Sequence, residues 1–142
     1  LSKDEKILFV HNTYSKQEDI DLIEKNLTNA YWCTCPKANW YIERQFPDYE
    51  LWRKNKLKVT LGTDSLASNH GLSILEEMKC IQERFPQIPT NELLIWACKN
   101  GAEFLDLARL GSFSTGFKPG ILLIKNTQGT ALTRNSSVEV IA

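Results

Sequence analysis

The chain has 142 residues, with 17 Lys and Arg balanced by 17 Asp and Glu. A zero net charge argues against a nucleic-acid-binding protein, because such proteins carry a basic excess that contacts phosphates. No apolar run approaches the roughly 18 residues of a membrane span, and no secretion signal opens the chain. We therefore expect a cytoplasmic protein with no membrane partner and four reduced cysteines, either one domain or a segment of a larger one.

The hydrophobic pattern predicts alternating strands and helices. A first helix begins at a capping box formed by Ser15 and Glu18, and a second has the same spacing at Ser73 and Glu76. Residues 39–55 favour either two short helical pieces or a long loop. The predicted strands are 7–10, 30–35, 58–63, 121–124 and 138–141, and the predicted helices are 15–29, 72–85 and 90–107.

Apolar residues at helical spacing predict which sides of the later helices face the core. The tryptophans are expected to pack in the core or at an interface rather than to line a pocket. In the helix at 72–85 the inward residues are Ile74, Leu75, Met78, Ile81 and Phe85, with Glu76, Glu77, Lys79 and Glu83 outside. In the last helix the inward residues are Leu93, Leu94, Ala97, Phe104 and Leu105.

Polar residues follow all three early strands. His11 ends the first, Cys35 and Pro36 through Asn39 follow the second, and Asp64 ends the third. Alternating βα units predict a parallel sheet whose carboxyl ends share one edge, where α/β proteins place their chemistry. A His and an Asp at that edge suit metal binding or proton transfer, although a lone His is often structural and a lone Asp is often a cap.

Four motifs, in order, resemble the metal-dependent amidohydrolases, and in particular their chlorohydrolase and aminohydrolase (deaminase) branch. They are LFVH at 8–11, CPKAN at 35–39, GTDSLASN at 62–69, and NGA at 100–102 with LGS at 110–112. The resemblance covers about residues 7–125. It implies an α/β fold: the last three units of a (β/α)8 barrel at 1–110, followed at 111–142 by strands of a small β-sandwich.

The resemblance also implies roles for individual residues. Asp64 matches the metal-binding aspartate of the last strand, which also takes the proton of the activated water. His11 matches a histidine that contacts the water or the substrate, and Asn39 matches a residue at the rim of the site. His70 is either a substrate contact or a solvated loop residue. The implied reaction is metal-assisted hydrolysis of a C–N or C–Cl bond in a small heterocyclic substrate, with zinc expected before iron.

Other features of that family are missing from this sequence. The pattern has no His-x-His pair, and its only histidines are His11 and His70, whereas a catalytic zinc needs about three protein ligands. We therefore expect a C-terminal segment of a longer enzyme that is inactive alone and, with unpaired strand edges, forms homo-oligomers. One alternative is a non-catalytic barrel remnant that serves in assembly. Another is an open nucleotide-binding domain, which the absence of a phosphate loop disfavours.

Overall fold

The computed structural model describes residues 2–142 and contains two compact units. The described residues up to Leu72 form the first unit, and Ser73–Ala142 form the second. The predicted division of the chain at residues 110 and 111 concerns the complete fold and stays a prediction. Within residues 2–142, no helix combines the length and apolarity that a membrane crossing requires.

The first unit is a three-stranded parallel sheet with helices between its strands, as the sequence predicts. The strand order is β1-β2-β3. The register pairs Ile7 with Ala30 and Cys33 with Thr60. The elements are β1 Lys6–Val10, α1 Gln17–Asn26, β2 Asn29–Thr34, α2 Pro36–Glu43, α3 Tyr49–Lys54 and β3 Lys58–Leu61.

Aromatic side chains form much of this unit's core. The ring of Trp32 on β2 lies 5.5 Å from the ring of Trp52 on α3, and Tyr49 meets Trp52 edge-on at 5.7 Å. The Tyr49 hydroxyl is 2.7 Å from Thr34 Oγ1, which satisfies both buried hydroxyls. Core packing is thus confirmed for Trp32, Trp52 and Trp96, which are almost fully buried, whereas Trp40 is 38% exposed.

The helix boundaries of the first unit differ from prediction at three points. The first helix ends at Asn26 and not at residue 29, where β2 already begins. The first helix begins one residue later than the Ser15 box implies, because the Asp19 carboxylate accepts from the backbone N–H of Lys16 and Glu18 takes no part. The uncertain stretch after residue 39 contains two helices, and the first begins already at Pro36, whose fixed φ suits the first helical position.

The second unit contains helices and a two-stranded antiparallel sheet. Its elements are α4 Ile74–Arg84, α5 Thr90–Leu94, a π-helical turn Ile95–Lys99, α6 Asn100–Phe104, β4 Leu122–Lys125 and β5 Ser137–Val140. The Ser73 side chain caps α4 through the backbone N–H of Glu76, as predicted. The Gln82 side chain joins helix to hairpin, since its amide donates to Thr90 Oγ1 and its oxygen accepts from Leu132 N.

Two predicted helix faces are wrong in part. Glu77, expected outside α4, is fully buried beside Met78 and Ile81, so burial extends around more of the helix than the apolar stripe. In the last helix Leu94 and Leu105 are exposed and Trp96 is buried. The π-helical turn adds a residue to one turn and shifts the register of the residues that follow it, among them Leu105.

Candidate functional site

The carboxyl ends of the three parallel strands lie side by side, as the sequence predicts. The backbone N–H of His11 donates to Cys33 O at 2.9 Å, and that of Gly62 donates to Thr34 O at 2.9 Å. These bonds continue the parallel ladder one residue past the ends of β1 and β3. Because the ladder holds the three ends in register, the residues that follow each strand share one edge of the sheet.

His11 and Asp64 meet at this edge. The Nε2 atom of His11 lies 3.9 Å from Asp64 Oδ2, and the two side chains are 39% and 32% exposed. That distance is too long for a direct hydrogen bond. It is short enough for one small polar atom to contact both groups, which is the arrangement expected for a proton passing between them.

Both residues have left-handed backbone conformations. The φ angle is 69° at His11 and 57° at Asp64, and Asn12 shares this region at 51°. His, Asn and Asp adopt it more readily than other side chains, but it remains less favourable than the extended conformation of the preceding strands. Such residues cluster at functional sites, where the surrounding structure holds them in place.

Asp64 is held by the loop that follows it. Ser68 Oγ donates to Asp64 Oδ2 at 2.7 Å, and Asn69 Nδ2 donates to Thr63 O at 2.8 Å. Ser68 and Asn69 are both buried although they are polar. Both residues lie within the GTDSLASN motif, which predicts no role for either, and their buried hydrogen bonds identify them as the supports of the Asp64 loop.

Asn39 contacts His11 from α2. Its side chain is 1% exposed, and its Oδ1 lies 2.7 Å from His11 Nδ1. The structure therefore brings three of the four predicted site residues together, namely His11, Asn39 and Asp64. The fourth, His70, is exposed in the loop after Asn69, and within residues 2–142 no side chain forms a hydrogen bond or ion pair with it.

Two thiols lie next to the loop that carries Asp64. A β-carbon added to Gly62 would lie 2.9 Å from Cys33 Sγ and 3.0 Å from Cys35 Sγ, so both sulfurs face the same backbone position. Hydrogen bonding from Cys35 lowers the pKa of Cys33 to about 7, with help from Thr60 and against the effect of burial. The same bond, with burial, raises the pKa of Cys35.

These residues fit one part of a metal site. Asp64 offers a carboxylate oxygen, and an imidazole stands beside it, both of which are ligand types that zinc accepts. Among residues 2–142, no group of three or more His, Cys, Asp or Glu side chains forms a complete set. Among the described residues, Asp64 is therefore a single candidate acidic ligand and not part of a complete set.

Comparison with known proteins places the chain in a family. Residues 1–141 match the Amidohydrolase family. The chain belongs to this family. An adenosine deaminase of Helicobacter pylori is 33% identical over 108 residues, which cover 74% of this chain and 26% of that protein. A 5-methylthioadenosine/S-adenosylhomocysteine deaminase of Caldicellulosiruptor saccharolyticus is 33% identical over 122 residues, which cover 81% of this chain and 28% of that protein.

A solved amidohydrolase structure has the same fold over most of the chain. The Helicobacter pylori aminofutalosine deaminase in complex with methylthio-coformycin superimposes with a TM-score of 0.74 at 33% identity, covering 83% of this chain and 29% of that one. The α/β fold predicted from the sequence is confirmed. The chain spans less than a third of the length of these three proteins.

Proposed function

We propose that this chain is the C-terminal part of a metal-dependent aminohydrolase that deaminates a small heterocycle, with an adenine nucleoside as the expected substrate class. On this proposal, residues 1–110 complete a (β/α)8 barrel and residues 111–142 add strands to a small β-sandwich. The observation that carries the proposal is the 3.9 Å approach of His11 Nε2 to Asp64 Oδ2 at the carboxyl edge of the sheet.

The substrate class follows from the relatives. The three named proteins are deaminases, and the names of two of them specify adenosine or its thioether derivatives. Deamination is therefore favoured over dechlorination. The reaction adds water to the ring carbon that bears the amino group, and that carbon keeps the oxygen while ammonia leaves.

Different residues of this chain have different roles in the proton transfers of that reaction. A divalent ion, with zinc the expected one, supplies hydroxide at neutral pH. Asp64 is the proposed ligand, and its Oδ2 accepts the proton that the nucleophile loses. His11, on the other side of the same position, accepts a hydrogen bond from the nucleophile. Ser68 holds the Asp64 carboxylate in the orientation that both tasks need.

Asn39 and His70 have different places in the proposal. Asn39, predicted among the substrate-binding residues, is buried against His11, and we propose that it acts on the site through that ring. His70 is exposed beyond Asn69, and we propose that it contacts substrate only at the outer rim of the site. The homo-oligomer expected from the unpaired strand edges stays a prediction.

The test compares metal content and ammonia release for the full-length polypeptide, with adenosine and 5′-methylthioadenosine as substrates. Loss of a metal ligand should reduce activity by more than the 10–100-fold that is typical for outer-shell partners. Asp64→Asn should therefore lower the rate of ammonia release more than about 100-fold and lose most of the bound metal. The matched control is Asp21→Asn, which removes an exposed carboxylate on α1. Full metal and full rate in Asp64→Asn would refute the role of Asp64.

The non-catalytic alternative is favoured by one observation, the incomplete ligand set among residues 2–142. It predicts that the wild-type full-length polypeptide holds no stoichiometric metal and releases no ammonia. The same experiment therefore separates an enzyme from an assembly module.

A further inference from the structure

We propose that Asn39 is a positioning residue: it holds the neutral His11 ring with its proton on Nδ1, so that Nε2 faces Asp64 as a proton acceptor. The inference rests on the proposed function and specifies that His11 Nε2 accepts a proton in that reaction. It starts from the 2.7 Å contact between His11 Nδ1 and Asn39 Oδ1.

The chemistry of the two atoms fixes the position of the proton. An amide oxygen carries no hydrogen and can only accept, so the short contact requires a proton on Nδ1. A neutral imidazole has one N–H, and Nε2 then keeps its lone pair. That lone pair is on the nitrogen 3.9 Å from Asp64 Oδ2. The neutral ring can therefore take a proton at the site but cannot give one.

The burial of Asn39 supports this role. The residue is 1% exposed, and its Nδ2 atom has no hydrogen-bond partner among the described residues. An unpaired buried amide N–H costs about 1–3 kcal/mol. An apolar side chain at this position would avoid that cost. The contact with His11 is thus the only side-chain hydrogen bond of Asn39 in the described structure, and it offsets a placement that packing alone disfavours.

The backbone holds the pair in register. Asn39 N donates to Cys35 O at 2.9 Å in the first turn of α2, and His11 N donates to Cys33 O on the strand that leads into that helix. Both residues are therefore anchored to the same short segment, Cys33–Cys35. This arrangement fixes the ring nitrogens although His11 and Asn39 are 28 positions apart in the chain.

The test is a long-range ¹H–¹⁵N spectrum of the full-length polypeptide with ¹⁵N-labelled imidazoles. It is recorded near pH 8.5, about two units above the ordinary pKa of an imidazole. The His11 signals are assigned by their loss in His11→Gln. The expected spectrum has a protonated Nδ1 and an unprotonated Nε2. A protonated Nε2 in the wild type would overturn the proposal, because the Asn39 amide would then be turned and would donate to the ring.

Two variants add a second measurement. Asn39→Leu removes the acceptor and should abolish the Nδ1–H preference, whereas Asn39→Asp keeps an oxygen at this position and should keep Nδ1 protonated. The matched control is Tyr49→Phe, which breaks a different buried hydrogen bond in the same unit and should leave the His11 spectrum unchanged. An unchanged spectrum in Asn39→Leu would contradict the assignment.

Kinetics separate this inference from the proposed function. In an active preparation, Asn39→Leu should lower kcat about 10–100-fold with little change in KM, as for other residues that orient a functional group, and Asn39→Asp should recover most of the rate. The tautomer is measured without metal or substrate. If Nδ1 is protonated in a polypeptide without deaminase activity, the proposed function is refuted and the positioning role of Asn39 is retained. If the polypeptide is active and Nε2 is protonated, the proposed function is retained and the positioning role is refuted.

Discussion

Replacing Gly62 by alanine tests how tightly the edge of the sheet is packed beneath the candidate site. The new β-carbon would lie 2.9 Å from Cys33 Sγ and 3.0 Å from Cys35 Sγ, closer than carbon and sulfur atoms approach without displacement. Both sulfurs belong to buried side chains, so neither can move into solvent. The strain would fall on the segment that leads through Thr63 to Asp64.

The expected magnitude follows from two opposing terms. Overpacking a buried position costs typically about 1–3 kcal/mol. The backbone of Gly62 does not lie in the left-handed region, so alanine there should otherwise stabilise the fold by about 0.4–1 kcal/mol through the unfolded chain. Gly62→Ala should therefore destabilise the wild type and become neutral or stabilising when Cys33→Ala and Cys35→Ala remove both sulfurs. The unfolded-chain term cancels in this cycle, so the coupling between these changes should equal the overpacking cost of about 1–3 kcal/mol.

The assay is urea unfolding of the four proteins of this cycle, followed by circular dichroism and by tryptophan fluorescence. Trp32 precedes Cys33 on β2 and is one of the chain's four tryptophans, so part of the fluorescence signal comes from the strand that carries the strain. If Gly62→Ala costs the same free energy with and without the two sulfurs, the packing argument is wrong.

Two further predictions concern the same edge of the sheet. Because the folded pKa of Cys33, about 7, lies below its ordinary value of 9.0, the thiolate adds stability that is complete above pH 9 and is lost as the pH falls through 7. The difference in unfolding free energy between the wild type and Cys33→Ala should widen by about 2 kcal/mol from pH 7 to pH 9, and a constant difference would contradict this. Ser68→Ala removes the hydrogen bond to Asp64 Oδ2. It should lower the free energy of unfolding by about 1 kcal/mol, measured by denaturation, and lower metal affinity about 10–100-fold, measured by metal titration. Unchanged metal affinity would contradict this prediction.

Much of the fold follows from local sequence patterns. The three strands of the parallel sheet and the two strands of the terminal hairpin lie within two residues of their predicted ends, because each is a short apolar run bounded by turn residues. The Ser73 cap could also be predicted from the sequence, since the hydrogen bond from Glu76 N to the Ser73 side chain spans only three residues. The Asp19 contact at α1 was not predicted, because Glu18 with the N–H of Ser15 and Asp19 with the N–H of Lys16 have the same three-residue spacing.

The last helix shows where local patterns stop being sufficient. Its periodicity assumes 3.6 residues per turn, but the π-helical turn Ile95–Lys99 inserts a residue and rotates the following face. Gly111 packs there, since a β-carbon on it would lie within 3.0 Å of Cys98 O and Lys99 Cα. A contact between residues so far apart in the chain leaves no trace in a helical pattern.

For the candidate site too, the sequence predicts some features and only the folded structure shows the others. Parallel strands place their carboxyl ends together, so the order of βα units was enough to bring His11 and Asp64 to one edge. The resemblance in the motifs was enough to predict the family. Neither could show that Ser68 holds Asp64 or that Asn39 contacts His11, because each bond depends on side-chain geometry set by the packed loops.

The sequence by itself determined which residue types end each strand and which family they belong to. The tertiary structure decided the distances between them, the left-handed backbone at His11 and Asp64, and the buried hydrogen bonds that orient both side chains. The physical reason is the separation along the chain over which each kind of interaction acts. Strand periods, caps and turn residues act over a few positions, whereas the protonation and orientation of a site depend on groups that only the folded chain brings within hydrogen-bond distance.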